Sequence, residues 1–202
     1  MEQTKLRRCF LERAAKRLVG AMISHGIIDP LMREQYVYSL EMIAEKIVSV
    51  IMVLITGICM GKLFQAVVFA AFFLALRTYT GGYHAGKFIV CFIESTGMML
   101  MVLCFGDLLI PYAGAVIILL IISIIVIMIN GTVNHPNMNY DYSELKEASK
   151  GARYVLLIEV FIIAALGLIG ASGSYLVYMS LGVILCAISL LIAKIMKQEV
   201  AL

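Results

Sequence analysis

Six apolar segments separated by polar breaks fill most of this chain from Ile47 onward. They are Ile47–Met60, Leu63–Leu76, Phe88–Phe105, Leu108–Ile129, Tyr154–Ala171 and Tyr175–Met196. A helix needs about 20 apolar residues to cross the hydrocarbon core of a bilayer. The last four segments are long enough to cross. The first two are short and fit a re-entrant or tightly packed hairpin. The expected fold is all-α: a polytopic membrane protein with about six transmembrane or membrane-embedded helices, preceded by N-terminal amphipathic helices. Composition agrees. The 202 residues are 62% hydrophobic and 14% charged, more apolar surface than a soluble domain of this size needs.

The net charge of +3 is small, so the placement of charge matters more than its sum. No nucleic-acid partner is expected; the bilayer is the partner that composition implies. With six spans and the N-terminus inside, every Lys and Arg except Lys62 falls on the cytosolic side. If 47–76 were one long helix, the later loops would flip. Arg77, Lys87, Lys146, Lys150, Arg153, Lys194 and Lys197 would then lie outside, and the bias would vanish. The six-segment parity is therefore preferred, with both termini and the stretch after Leu76 on the cytosolic side. A hairpin dipping in from that side keeps the same parity.

Three regions follow. Residues 1–46 form an amphipathic cytosolic or interfacial region. Residues 47–196 form one membrane domain that contains the loop 77–91. Residues 131–153 form a hydrophilic cytosolic loop. In the first region, 28 residues read as a helix, with Leu6, Phe10, Ala14, Leu18 and Met22 on one stripe. Two readings fit it: a helix in the interface of an anionic leaflet, or a solvated helix packed on the bundle. Asp29-Pro30 ends it and starts a second amphipathic stretch, Leu31–Lys46. No short apolar core with a small-residue cleavage site occurs in the first 46 residues, so no signal peptide is expected. In the hydrophilic loop, Ser143 is a candidate helix cap, with Lys146 and Lys150 one turn apart.

Chemistry concentrates in "RTYTGGYHAGKFIVC", Arg77 to Cys91. Gly81 and Gly82 can adopt backbone angles closed to other residues, so the chain can turn sharply and approach another segment closely. His84 follows in the loop, and Cys91 comes seven residues later. In one continuous helix these two would sit about 10 Å apart along the axis, too far for a hydrogen bond. Contact needs a break, which Gly86 permits. If a helix begins near Lys87 or Phe88, Cys91 lies in its first turn. The positive helix end, with Lys87 and Arg77, would then favour its thiolate. A thiol there with an imidazole nearby is the arrangement of nucleophilic cysteine catalysis.

The blander readings stand beside that one. The five cysteines, Cys9, Cys59, Cys91, Cys104 and Cys186, show no paired spacing, so neither a disulfide framework nor a zinc site is indicated. Cys59, Cys104 and Cys186 read as small apolar filler, and His25 and His135 as solvated. Glu94, one turn after Cys91, is an intramembrane carboxylate and a functional candidate on that ground; a structural role competes equally. Glu159 in the fifth segment has no assigned role. A non-enzymatic peptide exporter or channel is the rival reading. Its loop would be a gate and its glycines a hinge, but the sequence lacks charge-lined spans or broken helices in repeated positions.

The pattern Arg77, Gly81, Gly82, His84, Ala85 and Cys91 resembles the accessory gene regulator B (AgrB) family. These are integral membrane cysteine endopeptidases of Gram-positive quorum sensing. The basic N-terminal region, the length, the segment order and "TVNHPNMN" after the fourth segment extend the resemblance over most of the chain. One departure is visible: Lys146, Lys150 and Arg153 are scattered where the family has a tight cluster. The resemblance implies that His84 and Cys91 are the catalytic pair and that Arg77 is needed for activity. It implies an AgrD-like propeptide substrate with an amphipathic leader, a pheromone segment and an acidic tail. Cleavage would pass through an acyl-enzyme thioester and close a cyclic thiolactone. No cofactor or metal is required, and homodimers fit the family. The location implied is the bacterial cell membrane.

Overall fold

A computed structural model describes residues 10–81, 88–134 and 141–196; of residues 10–12, 38, 41, 42, 45, 46 and 88–95 it describes the backbone alone. Among the described residues there are seven α-helices and no strand. They are α1 (Phe10–Ser24), α2 (Arg33–Cys59), α3 (Leu63–Thr80), α4 (Phe88–Phe105), α5 (Ala113–Asn130), α6 (Tyr142–Leu168) and α7 (Gly173–Ile195). Tight 3-10 turns at Pro30–Met32 and Gly106–Tyr112 precede α2 and α5.

Helix α7 is the centre of the bundle. Two-thirds of its apolar window (67%) is buried, against 28% for α3 and 17% for α6. A helix that is apolar all round belongs inside, and α7 is surrounded by α3, α5 and α6. Leu76 of α3, Val116, Leu120 and Ile127 of α5, Leu156 of α6 and Val183 of α7 share one core. The α3–α7 crossing is close because Gly182 sits at it. A Cβ there would lie 2.9 Å from Phe72 Cβ and 3.1 Å from the Phe69 carbonyl.

Contacts at the helix ends fix the topology. Lys62, before α3, meets Leu103 at the end of α4 and Asp107 in the 3-10 turn. A Cβ on Gly173, at the start of α7, would lie 3.7 Å from Ile110 of the same turn. These define one end of the bundle. At the other end, Tyr79 and Thr80 at the close of α3 bond to Thr132 and Val133, which follow α5. Val133 packs with Leu190 and Ala193 near the close of α7. Helices α3, α5 and α7 therefore run one way, and α2, α4 and α6 return. This is the parity expected from the lysine and arginine bias.

Four described stretches are long and apolar enough to cross a membrane: Leu63–Thr80, Thr96–Asn130, Tyr142–Leu168 and Gly173–Ile195; Ile47–Cys59 is a shorter apolar helix. Thr96–Asn130 contains the reversal at Gly106–Tyr112, so it carries parts of two expected segments.

Several local expectations are corrected. Helix α3 is longer than the expected Leu63–Leu76, because Arg77–Thr80 continue it and are held by tertiary bonds. It reaches from one end of the bundle to the other. The stretch Leu31–Lys46 and the first apolar segment are not separate elements: α2 carries both without a break. In α1 the stripe that packs is Ala15 and Val19, against Val37 and Leu40 of α2. Ala14 and Leu18, from the expected stripe, are exposed. Helix α1 ends at Ser24, earlier than the expected Asp29-Pro30, and Asp29 instead caps the 3-10 turn, its carboxylate accepting from the Leu31 N–H at 2.9 Å. Of the hydrophilic stretch 131–153, residues from Tyr142 onward are helical. The cap there is Asp141, whose N–H donates to Glu144 at 3.0 Å in a capping box. Ser143 is inside the helix and donates to Asp141 at 3.2 Å.

Candidate functional site

The end of α3 is polar, with Thr78 and Tyr79 exposed, Arg77 half-buried and Thr80 inside. Thr80 is buried completely. Its hydroxyl donates to the Leu76 carbonyl at 3.1 Å and lies 3.1 Å from the Cys186 sulfur of α7. One turn earlier is Arg77. A helical Cα–Cβ bond tilts toward the helix N-terminus, so this side chain leans into the bundle. The guanidinium donates to the Ser189 hydroxyl and lies over the Phe73 ring, 5.6 Å from its centroid. That is a cation–π distance. A headgroup anchor would instead extend outward along the lipid face.

Gly81 closes α3 with a φ of +66°, its N–H bonding the Arg77 carbonyl at 3.1 Å. A Cβ at Gly81 would lie 3.2 Å from the Val133 carbonyl oxygen. Left-handed φ and close backbone approach both require glycine here. The approaching segment is anchored. The Val133 N–H donates to the Thr80 carbonyl at 3.0 Å, and the Thr132 hydroxyl donates to the Tyr79 carbonyl at 2.8 Å. Thr132, Val133 and Asn134 are buried. The close of α3 is therefore held at a fixed point.

Of the residues singled out from sequence, Arg77 and Gly81 stand together at this end. Gly82, His84 and Lys87 lie outside the described residues. Helix α4 is described from Phe88 onward, and the backbones of Cys91 and Glu94 are both helical within it. Glu159 is buried in the face of α6 that meets α3 and α7, only 4% exposed. Neither of its carboxyl oxygens has a hydrogen-bond partner among the described residues. Lys150 pairs with Glu147 at 2.6 Å on the surface of α6. A crevice of about 20 Å³ between α2 and α4 is lined by Ser49, Thr56, Thr96 and Met99. It has room for about one water molecule, too little for a substrate side chain.

Sequence reading missed Ser189, Phe73 and the docking of 131–134. One signal was present: Cys186 and Ser189 are three residues apart in an apolar helix, hence on one face. Small polar groups on one stripe of a membrane helix mark the side turned toward other helices.

Helices packed around a central apolar span, four described stretches of them long and apolar enough to cross a bilayer, define a polytopic all-α membrane protein. The family model for Accessory gene regulator B matches residues 15–193 of the chain. The chain belongs to that family. No curated protein and no solved structure matches it. Family membership implies a part in the peptide processing of accessory-gene-regulator quorum sensing, with an AgrD-like propeptide as partner.

Proposed function

We propose that the chain is a membrane cysteine endopeptidase that removes the acidic tail of an AgrD-like propeptide and closes the remaining peptide into a ring. The observation that carries this reading is the family match over residues 15–193; the Cys91 backbone lies in helix α4. A helix start shortly before Cys91 would offer free N–H groups and a positive dipole end, which favour a thiolate. The fixed exit of α3 at Gly81 supports it, since His84 follows three residues later. By the charge bias, this end of the bundle faces the cytosol.

In this mechanism His84 takes the Cys91 thiol proton, and the thiolate attacks the carbonyl at the end of the pheromone segment. The tetrahedral intermediate collapses as the carbon–nitrogen bond breaks. His84 returns the proton to the leaving amine, which departs with the tail. Cys91 is left as a thioester. A thiol within the pheromone then displaces the Cys91 thiolate and closes a thiolactone. This exchange of thioesters is nearly balanced, whereas hydrolysis is strongly downhill, so the site must exclude water. A site at bilayer depth, which a leader lying in the interface can reach, meets that need. Arg77 holds a carboxylate of the acidic tail through its planar fork. The test is coexpression of a precursor with the wild-type chain and with Cys91→Ser. Free tail is expected with the first alone; intact precursor in both would reject the reading.

A further inference from the structure

Glu159 is a carboxyl in the interior of a membrane bundle, 4% exposed, with neither oxygen bonded among the described residues. Such a group is stable only as the neutral acid or beside a cation. Arg77 is a cation that faces the same interior. Helices α3 and α6 run antiparallel, and Tyr79 lies on Gly151, which sets their register. From that contact, Arg77 is two residues deeper on α3, and Glu159 is eight residues deeper on α6. At the rise of a helix, their Cα atoms differ in depth by about 9 Å. Each side chain tilts toward the N-terminus of its own helix. Because the helices are antiparallel, the two side chains lean toward one another. Arg77 already reaches back to the Phe73 ring, and Cys186 of α7 lies 3.1 Å from the Thr80 hydroxyl at the same end of α3.

We propose that the Arg77 guanidinium has two seats inside the bundle. One is the Ser189 hydroxyl on α7, occupied in this structure. The other is the Glu159 carboxylate on α6. Glu159 is a positioning residue that draws the guanidinium away from the substrate's acidic tail after cleavage and so promotes release of the tail. This rests on the reading of Arg77 as the tail-binding group. The Ser189 seat leaves the fork close to the α3 exit, where the tail would meet it. The Glu159 seat moves it deeper and competes with the tail for the same N–H groups.

The two seats make opposite predictions. Binding of fluorescein-labelled hexaglutamate to the full chain in detergent is followed by anisotropy. Glu159→Gln removes the competitor and should tighten the Kd about tenfold. Ser189→Ala removes the outer seat and should weaken it severalfold. In an Arg77→Gln background neither change should matter. General structural damage would weaken binding in both variants, so it cannot produce opposite signs. A Kd in Glu159→Gln equal to or weaker than that of the wild-type chain, absence of binding included, overturns the proposal. If Glu159→Gln proves unstable, Glu159→Leu removes the same competitor and must tighten binding likewise. Tail release from a precursor is measured in parallel. Cleavage without the Glu159 effect leaves the peptidase reading standing and removes the second seat. Tightened binding without any cleavage does the reverse.

Discussion

Lys62 and Asp107 close the end of the bundle opposite the candidate site: Nζ and Oδ2 are 2.7 Å apart. The same ammonium donates to the Leu103 carbonyl at 2.6 Å, and the Tyr178 hydroxyl donates to Asp107 at 3.1 Å. One cation thus caps the end of α4 and ties it to the start of α3, with α7 joined through Tyr178. The pair is partly exposed, so screening limits its strength. Lys62→Met should cost about 1–2 kcal/mol, seen as a fall in Tm of about 2–8 °C in detergent. Asp107→Asn should fall in the same range, and the double variant should do no worse than the poorer single. Additive losses would show that the two groups act independently.

Gly151 predicts a second stability effect. A Cβ there would enter the Tyr79 ring. Gly151→Ala should overpack the α3–α6 contact at a cost of about 1–3 kcal/mol. Adding Tyr79→Ala, which clears the ring, should recover part of the loss in thermal unfolding. A Gly151→Ala chain as stable as the wild type would mean that α6 is set differently against α3.

Topology gives the third prediction. In a chain without native cysteines, single cysteines at Tyr79, Asn139 and Leu202 should react with an impermeant maleimide only after cells are opened. Those at Asp107 and Ser172 should react in intact cells. Labelling at position 79 from outside would overturn the orientation drawn from the Lys and Arg bias.

Much of this fold could be read from sequence, and the failures are local. Parity followed from lysine placement, because translocating a short charged loop is unfavourable whatever the tertiary structure. The full length of α3 did not follow. Arg77–Thr80 look like the start of a loop, and it is Ser189, Cys186 and Thr132 that make them a helix end. In α1, two apolar stripes lie side by side, Ala14–Leu18 and Ala15–Val19. Periodicity cannot choose between them; the partner helix does. Asp141 and Ser143 are both cap-forming residues, and Glu144, three residues after Asp141, decides between them. At the candidate site, the need for glycine at position 81 was legible from the sequence. The inward turn of Arg77 was not, because it depends on a serine far along the chain.

The fourth prediction concerns Arg77→Lys. An interfacial anchor would tolerate lysine. A fork that grips a carboxylate would not, since a charge-assisted bond is worth roughly 1.5–3 kcal/mol, or about ten- to a hundredfold in rate. Tail release by Arg77→Lys should therefore fall by about that factor at equal membrane expression. Full activity would return Arg77 to an anchoring role.

The central claim is that Cys91 is the nucleophile and His84 its base. The most direct measurement is mass-spectrometric detection of the free acidic tail, and of the precursor held as a thioester, in cells that coexpress a matched precursor. The wild-type chain should release the tail. Cys91→Ala and His84→Ala should release none while inserting normally. A chain with Cys9, Cys59, Cys104 and Cys186 all changed to alanine or serine should stay active. Tail release at a near-normal rate by either Cys91→Ala or His84→Ala would contradict the account.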